Sequence, residues 1–203
     1  MKKKVLVIGA NGTIGRAIVA NLKEDCDVIE ASRSSPTHSI DLSSSQSIAD
    51  LYGRFKDIDA VVCAAAADIA FKPLIEMTRA DYLKSLQSKQ LGQIDLVLQG
   101  LRYLKDHVSY TLTTGLLNFD PIATGTAAAM LNGAIEGFAR AAAIDMPGRQ
   151  RINVVTPALL EEAVEKYRDV LPGFPTASAS LVADAYRKSI MTSQNGQVIK
   201  VGW

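Results

Sequence analysis

Residues 4–20 of the chain read KVLVIGANGTIGRAIVA, an apolar run that leads into a glycine-rich turn and then into a helix-like segment. The run VLVI at 5–8 is typical of a parallel strand buried on both faces. Glycines follow at positions 9, 12 and 15. In a strand–turn–helix context, such glycines allow a tight turn, a close approach of the backbone to a pyrophosphate and close packing of the helix on the sheet. The stretch therefore predicts a dinucleotide-binding turn.

The spacing GxxGxxG matches the general GxGxxG pattern only loosely, so glycines that merely make a tight turn are the alternative. In the first reading, the unpaired N–H groups and the positive dipole end of the following helix face the phosphates. The cofactor-binding residues predicted in this stretch are Gly9, Asn11, Gly12, Thr13, Ile14 and Gly15.

Composition limits the class of protein. A chain of 203 residues suits one domain with a full-sized core, and 48% hydrophobic with 21% charged residues is the balance of a globular protein. The net charge of +1 does not favour nucleic acid or an anionic membrane as a partner. No stretch is apolar for the length of a membrane span, and the run after Lys2-Lys3-Lys4 is too short for a signal peptide.

The two cysteines, Cys26 and Cys63, have no spacing typical of a zinc site or a disulfide framework. Cys63 lies in an apolar run and is interpreted as a small core residue. We therefore expect no metal site, and a reducing compartment, the cytoplasm.

Strand-like and helix-like segments alternate along the whole chain. Strands are predicted at 5–9, 27–32, 38–41 (very short), 60–64, 108–113, 152–155 and 197–201. Helices are predicted at 13–23, 80–104, 127–144 and 179–189, and a further helix with N-cap candidates at 41–45 is predicted to run to about 55. Such alternation predicts a parallel sheet of about seven strands with helices on both faces, in a single doubly wound α/β domain spanning 1–203.

The least regular segment lies at about 157–178. It contains three prolines and a glycine around a short helical piece predicted at 159–170. Ligands of open α/β sheets bind beyond the carboxyl ends of the strands, and this segment follows such an end. It is therefore predicted to be a lid or substrate loop.

The glycine pattern, the two long helices and the closing strand together resemble the short-chain dehydrogenase/reductase family over essentially the whole chain. Asp41-Leu42 resembles the family's Asp–hydrophobic pair at the adenine ring, and residues 63–66 (CAAA) stand where the family has Asn-Asn-Ala-Gly. Residues 134–143 look like the second half of the active-site helix, and 151–157 (RINVVTP) is similar to the strand before the family's Pro-Gly turn. The cofactor-binding residues that the resemblance adds are Asp41, Leu42, Ala64, Ala65, Ala66 and Pro157.

The end of the second strand, Glu30-Ala31-Ser32-Arg33-Ser34, bears on the choice of cofactor. An acidic residue here would bond a ribose 2′-hydroxyl, whereas an arginine accommodates a 2′-phosphate. Ser32 stands at the position that resembles the acidic one, and the planar guanidinium of Arg33 suits phosphate. Ser32, Arg33 and Ser34 therefore favour NADP over NAD. Two alternatives stay open: Glu30 directed at the ribose, and Arg33 as a solvated surface residue.

The catalytic pattern of the family is missing. Its usual members carry a proton-exchanging Tyr and, four residues later, a Lys that lowers the pKa of the Tyr and holds the nicotinamide ribose. The alignment of 134–143 places Ala128 and Asn132 at these two positions. Alanine carries no proton and asparagine no charge, so neither residue replaces its counterpart.

Other residues are candidates for the lost chemistry. The stretch Lys89-Gln90-Leu91-Gly92 stands where the family usually has Asn-x-x-Gly. We hypothesise that Lys89 extends into the space left by the missing lysine and restores a cation near the nicotinamide ribose. The alternative is that Lys89 is a solvated helix lysine. Thr113 and Thr114 close a strand and can offer a hydroxyl to a carbonyl. Tyr167 in the irregular segment is a second candidate acid, or an aromatic that packs that segment down.

The function that the resemblance implies is that of an NADP(H)-dependent oxidoreductase acting on a carbonyl or alcohol, with an atypical site whose proton comes from Lys89, Tyr167 or water held by Thr114. The rival is an NADP(H)-binding protein without turnover, such as a redox sensor or an assembly partner. A bare scaffold is a third reading, which the presence of all three glycines disfavours. Small residues on the two long helices predict a homodimer or homotetramer formed through them.

Overall fold

The central sheet contains six parallel strands in a computed structural model that describes residues 2–65 and 68–203. The strands of the chain are β1 (Lys3–Ile8), β2 (Cys26–Ala31), β3 (Ala60–Cys63), β4 (Ser109–Thr113), β5 (Arg151–Pro157), β6 (Leu159–Leu160), β7 (Thr176–Ala177) and β8 (Val198–Val201). The order across the sheet is β2-β1-β3-β4-β5-β8, while β6 and β7 form a separate parallel pair. The strand order reverses between β1 and β3, the point at which doubly wound sheets bind ligands.

Helices cover both faces of the sheet. They are α1 (Thr13–Leu22), α2 (Ser45–Arg54), α3 (Arg79–Ser85), α4 (Gly92–Tyr103), α5 (Thr126–Asp145), α6 (Val164–Tyr167) and α7 (Ala179–Met191). A π-helical segment, Leu86–Leu91, joins α3 to α4 without a break. None of the helices in the described ranges is long and apolar enough to cross a membrane.

Two hydrophobic cores result, one on each face, because successive strand residues point to opposite sides. On one face, α2, α4 and α5 bury residues such as Tyr52, Leu96 and Ile135 against the sheet. On the other face, α1 and α7 bury residues such as Ile18 and Tyr186. The predicted doubly wound domain is confirmed.

Two local predictions were wrong. Residues 38–41 form no strand: Ser32 and Ser39 make one isolated bridge, so the main sheet has six strands rather than about seven. Only a few residues, one of them Pro36, separate this segment from β2, and proline cannot donate to a strand ladder. The helix predicted at 159–170 is also absent as a unit, since the segment divides into β6, a 3₁₀ turn (Glu161–Ala163) and the one-turn helix α6.

Candidate active site

A cavity of about 800 Å³ lies at the carboxyl ends of the central strands, where the strand order reverses. Most residues predicted from the sequence line it together: Gly9, Asn11, Gly12, Thr13, Ile14, Ser32, Arg33, Ser34, Leu42, Ala64, Ala65, Lys89, Thr113, Thr114 and Tyr167. Gly15, Asp41 and Pro157 do not line it. Ala66 lies outside the described residues.

The glycine turn requires the absence of side chains at two positions. Gly9 adopts φ +85°, and a Cβ on it would lie 2.6 Å from the backbone nitrogen of Ala65. A Cβ on Gly15 would lie 2.1 Å from the carbonyl oxygen of Gly9, so the start of α1 rests directly on the turn. Gly15 therefore contributes close packing from beneath the cavity.

The N-terminus of α1 is left open toward the cavity. Its N-cap is Gly12, which offers no side-chain cap, and the first turn holds no acidic residue. By contrast α2, α3 and α7 are capped by the side chains of Ser44, Thr78 and Ser178. Unpaired N–H groups at the positive end of a helix dipole, lined by glycine, fit a pyrophosphate. The residues present thus fit a dinucleotide.

The end of β2 is tied to the glycine turn by Asn11. Its amide Nδ2 donates to Ser32 Oγ at 2.8 Å and to Ser34 Oγ at 3.3 Å. Between these two serines, Arg33 is exposed, and within the described ranges its guanidinium forms no ion pair and no hydrogen bond. Glu30 is exposed and does not line the cavity.

Asp41 serves a local turn. Its Oδ1 accepts from the backbone nitrogen of Ser43 at 3.0 Å and from the Ser43 hydroxyl at 2.8 Å, and these bonds lower the pKa of the carboxyl. The next residue, Leu42, reaches the cavity and packs against the start of α4, where a Cβ on Gly92 would lie 2.7 Å from the Leu42 carbonyl oxygen.

Lys89 lies on the π-helical segment, half-buried, and lines the cavity. Its Nζ donates to Asn132 Oδ1 on α5 at 2.7 Å. Asn132 is buried, and its Nδ2 donates to the carbonyl oxygen of Gly115 at 3.0 Å. Burial lowers the pKa of Lys89 to about 8. The two residues thus form a cation–amide pair anchored to the loop that follows β4.

The two threonines at the end of β4 differ in their surroundings. The hydroxyl of Thr113 donates to the Cys63 carbonyl and contacts the Tyr186 hydroxyl, while Gln93 Oε1 and Nε2 bond the Thr113 backbone at 2.8 and 2.9 Å. Thr113 is therefore committed to contacts within the protein.

Thr114 belongs to a buried polar cluster. Its hydroxyl lies 2.6 Å from the Thr156 hydroxyl, and both donate to Oε1 of the buried Glu136, at 3.3 and 3.2 Å. Oε2 of Glu136 lies 3.6 Å from the Arg140 guanidinium. Thr114 thus connects the cavity to a carboxylate behind the strand ends.

The irregular segment borders the cavity on the side of Tyr167, which is 37% exposed. Two anchors hold the segment. One is the β6–β7 pairing, and the other is Glu162, whose carboxylate accepts from the Ala179 backbone nitrogen at 3.0 Å at the start of α7.

Sequence reasoning missed several residues of this site. Asn132 was noted only as a replacement, not as the partner of Lys89, because 43 positions separate them in sequence. The Glu136–Thr156 contact likewise joins α5 to β5. Asp68, Ile69, Ser88, Leu160 and Ala163 also line the cavity and carried no motif.

The fold and the cavity define an α/β protein that fits a nicotinamide dinucleotide, of the class of the short-chain oxidoreductases. A family model described as Enoyl-(Acyl carrier protein) reductase matches residues 9–200. The chain belongs to the short-chain dehydrogenase/reductase family, whose members are typically oxidoreductases.

Solved structures support the same assignment. The protein lin1944 from Listeria innocua is 41% identical with a TM-score of 0.93, and the match covers 98% of each chain. A small-chain dehydrogenase in complex with NADPH is 25% identical with a TM-score of 0.86, over 99% of this chain and 97% of that one. A short-chain dehydrogenase/reductase (glucose/ribitol dehydrogenase) from Brucella melitensis, 23% identical with a TM-score of 0.80 over 99% and 97% of the two chains, shares the fold. No curated protein sequence matches the chain.

Proposed function

We propose that the protein is an NADP(H)-dependent oxidoreductase acting on a carbonyl or alcohol substrate, with an atypical catalytic site. The observation that carries the proposal is the single cavity that joins the open N-terminus of α1, the guanidinium of Arg33 and the ammonium of Lys89. When bound, the nicotinamide would supply the hydride chemistry. The chain's own residues would bind the dinucleotide, orient it and handle the proton.

The residues that would hold NADP(H) have distinct parts. The backbone N–H groups at Thr13 and Ile14 would bind the pyrophosphate, and Arg33 with Ser34 would bind the 2′-phosphate. Lys89, at the α3–α4 junction, lines the same cavity and is assigned to the nicotinamide ribose. The NADPH-bound relative at 25% identity supports the choice of cofactor.

The preference for NADP(H) is tested by Arg33→Ala. A charge-assisted hydrogen bond contributes about 1.5–3 kcal/mol, so the variant should bind NADPH roughly 10- to 100-fold more weakly and leave NADH affinity nearly unchanged. Arg149→Ala, an exposed arginine between α5 and β5, is the matched control and should change neither affinity. Equal loss of both cofactors in Arg33→Ala would contradict the assignment.

A second candidate function is an NADP(H)-binding protein without turnover. It is favoured by the alignment that the resemblance implies, which puts Ala128, a buried residue of α5, where the family has its proton donor. Transfer of deuterium from deuterated NADPH to a panel of aldehydes and ketones distinguishes the two. Deuterium in any alcohol product supports the oxidoreductase, and tight NADPH binding without transfer supports the binding protein.

We further propose that the protein self-associates through its two long helices, in a reducing compartment such as the cytoplasm. Exposed apolar side chains lie along both helices and the π-helical segment: Leu91, Leu98, Leu101, Met130 and Ile144. The two cysteines are free and buried, in keeping with a reducing compartment. Sedimentation equilibrium tests the association, which a monomer at micromolar concentration would contradict.

A further inference from the structure

Relative to the pattern that the family resemblance implies, a lysine and an asparagine stand on exchanged helices in this site. The family resemblance places a lysine on α5 and an asparagine on the preceding helix, whereas this chain carries Asn132 on α5 and Lys89 on the preceding helical segment. The ends of the two side chains meet, with 2.7 Å between Lys89 Nζ and Asn132 Oδ1. Because they are in contact, the exchange keeps an ammonium and an amide at the same junction.

We propose that Lys89 is the proton donor for carbonyl reduction in this protein and that Asn132 is the residue that positions it. This inference rests on the proposed oxidoreductase function and names the acid that the missing tyrosine would otherwise supply. It requires one ammonium, held at the cavity wall and able to release its proton near neutral pH.

The step balances without a further reactant. When bound, the reduced nicotinamide would supply a hydride to the carbonyl carbon and be oxidised, and the carbonyl π electrons would move to the oxygen. That oxygen takes a proton from Lys89 Nζ and becomes a hydroxyl. The neutral amine then regains a proton from water, and in the reverse direction the amine accepts the proton of the alcohol.

The other candidate donors are less suited to this step. The Thr113 hydroxyl is committed to Cys63 and Tyr186, and the Thr114 hydroxyl to Thr156 and Glu136. Tyr167 belongs to the irregular segment, and within the described ranges its hydroxyl makes no hydrogen bond that would orient it. Lys89 combines an ammonium, a place in the cavity wall and a fixed partner.

The surroundings of Lys89 favour proton release. Burial lowers its pKa to about 8, against about 10.4 for a free lysine, and a general acid works best when its pKa lies near the working pH. Burial raises the pKa of the Cys63 thiol to about 11, so this thiol is neutral beside Lys89. Asp68 lines the same cavity, but its carboxylate bonds Lys84 at 2.7 Å.

The helices α5 and α6 bring further titratable groups near this junction. The Glu136 carboxylate lies one turn beyond Asn132 and accepts from the two threonines described above, with Arg140 3.6 Å away. Tyr167 faces the cavity from α6. No carboxylate forms an ion pair with Lys89 within the described ranges, so its charge is uncompensated and its low pKa is preserved.

Asn132 fixes the position of the ammonium. Its Nδ2 donates to the Gly115 carbonyl, which sets the direction of the amide, so Oδ1 points at Lys89. An amide oxygen accepts the bond without adding a charge. A carboxylate in its place would favour the ammonium, and an opposite charge this close raises a lysine pKa by roughly 1–3 pH units.

The experiment is an NMR titration of lysine side chains labelled with ¹³C, with Lys89 assigned by Lys89→Arg. Wild type should show one lysine titrating near pH 8 without any cofactor, and Asn132→Asp should move that titration up by at least one pH unit. Single-turnover oxidation of NADPH by a carbonyl should fall about tenfold per pH unit above 8 in wild type and above the new value in Asn132→Asp.

Matched variants separate the proton donor from a surface lysine. Lys89→Met should lose about 10²–10⁴-fold in the reduction rate, whereas Lys188→Met, an exposed lysine of α7, should keep wild-type rates. An ordinary lysine titration for Lys89 in a protein that binds and oxidises NADPH would overturn this inference and leave the proposed function standing. Failure of wild type to bind NADPH would overturn the proposed function and this inference with it.

Discussion

The two ends of the cavity are built in different ways. At the phosphate end, backbone geometry provides the site: Gly9 turns with a positive φ, Gly15 lets α1 approach, and the helix N-terminus is left uncapped. Elsewhere in the cavity a side chain provides the charged group: Lys89 lines it and is held from behind by the buried Asn132 of α5. A backbone site cannot change without rebuilding the turn, whereas side-chain chemistry can be replaced by any group that reaches the same point.

The first prediction is that Gly15→Ala disrupts the packing of α1 on the glycine turn. Gly15→Ala places a methyl group 2.1 Å from the Gly9 carbonyl oxygen, so the turn and α1 must separate. Overpacking typically costs about 1–3 kcal/mol in the free energy of unfolding, and this backbone contact puts Gly15→Ala at the upper end of that range. Urea denaturation measures it.

The matched control is Gly53→Ala on α2, where an added Cβ meets nothing within 4 Å. Because alanine favours the helix over glycine, this variant should be neutral or more stable by up to about 1 kcal/mol. Equal destabilisation by both substitutions would show that Gly15 has no special packing role.

The next prediction concerns Lys89 and Asn132. Lys89→Asn alone should lower the reduction rate by about 10²–10⁴-fold, since the only cation of the pair is gone. Lys89→Asn combined with Asn132→Lys returns an ammonium to the same junction and should recover about tenfold or more of that loss. Single-turnover kinetics at pH 7 compares the two, with unfolding curves to verify that both are folded.

A double variant that is folded but no faster than Lys89→Asn would contradict the exchange. Asn132→Lys alone brings two ammonium groups together, and this repulsion should make it less stable than the double variant.

The sequence predicts the phosphate end better than the other end, for a physical reason. The glycine turn is a local pattern of fifteen residues, and alternation of strands and helices is readable along the chain. The contact of Lys89 with Asn132 depends on the packing of α5 against the π-helical segment, which no spacing encodes. The same limit explains the wrong strand prediction at 38–41, because a strand needs a full ladder of hydrogen bonds and the fold provides one isolated bridge there.

The smallest expected effect is on stability against pH. Folding lowers the pKa of Lys89 to about 8, so between pH 8 and about 10.4 the folded protein binds fewer protons than the unfolded chain, and its stability rises with pH there. Relative to Lys89→Met, wild type should gain roughly 1–2 kcal/mol between pH 7.5 and 9.5. Urea unfolding at both values measures the gain, and parallel curves for the two proteins would argue against a depressed pKa.

The most direct test of the separation between the two ends is calorimetric titration of wild type and Lys89→Met with NADPH and with NADH. We expect wild type to bind NADPH at least about tenfold more tightly than NADH, and Lys89→Met to keep that ratio because Arg33 and the glycine turn are unchanged. Loss of that ratio in Lys89→Met would show that the cofactor preference does not reside in Arg33 and the glycine turn alone. Absence of binding of either nucleotide by wild type would contradict the proposed function.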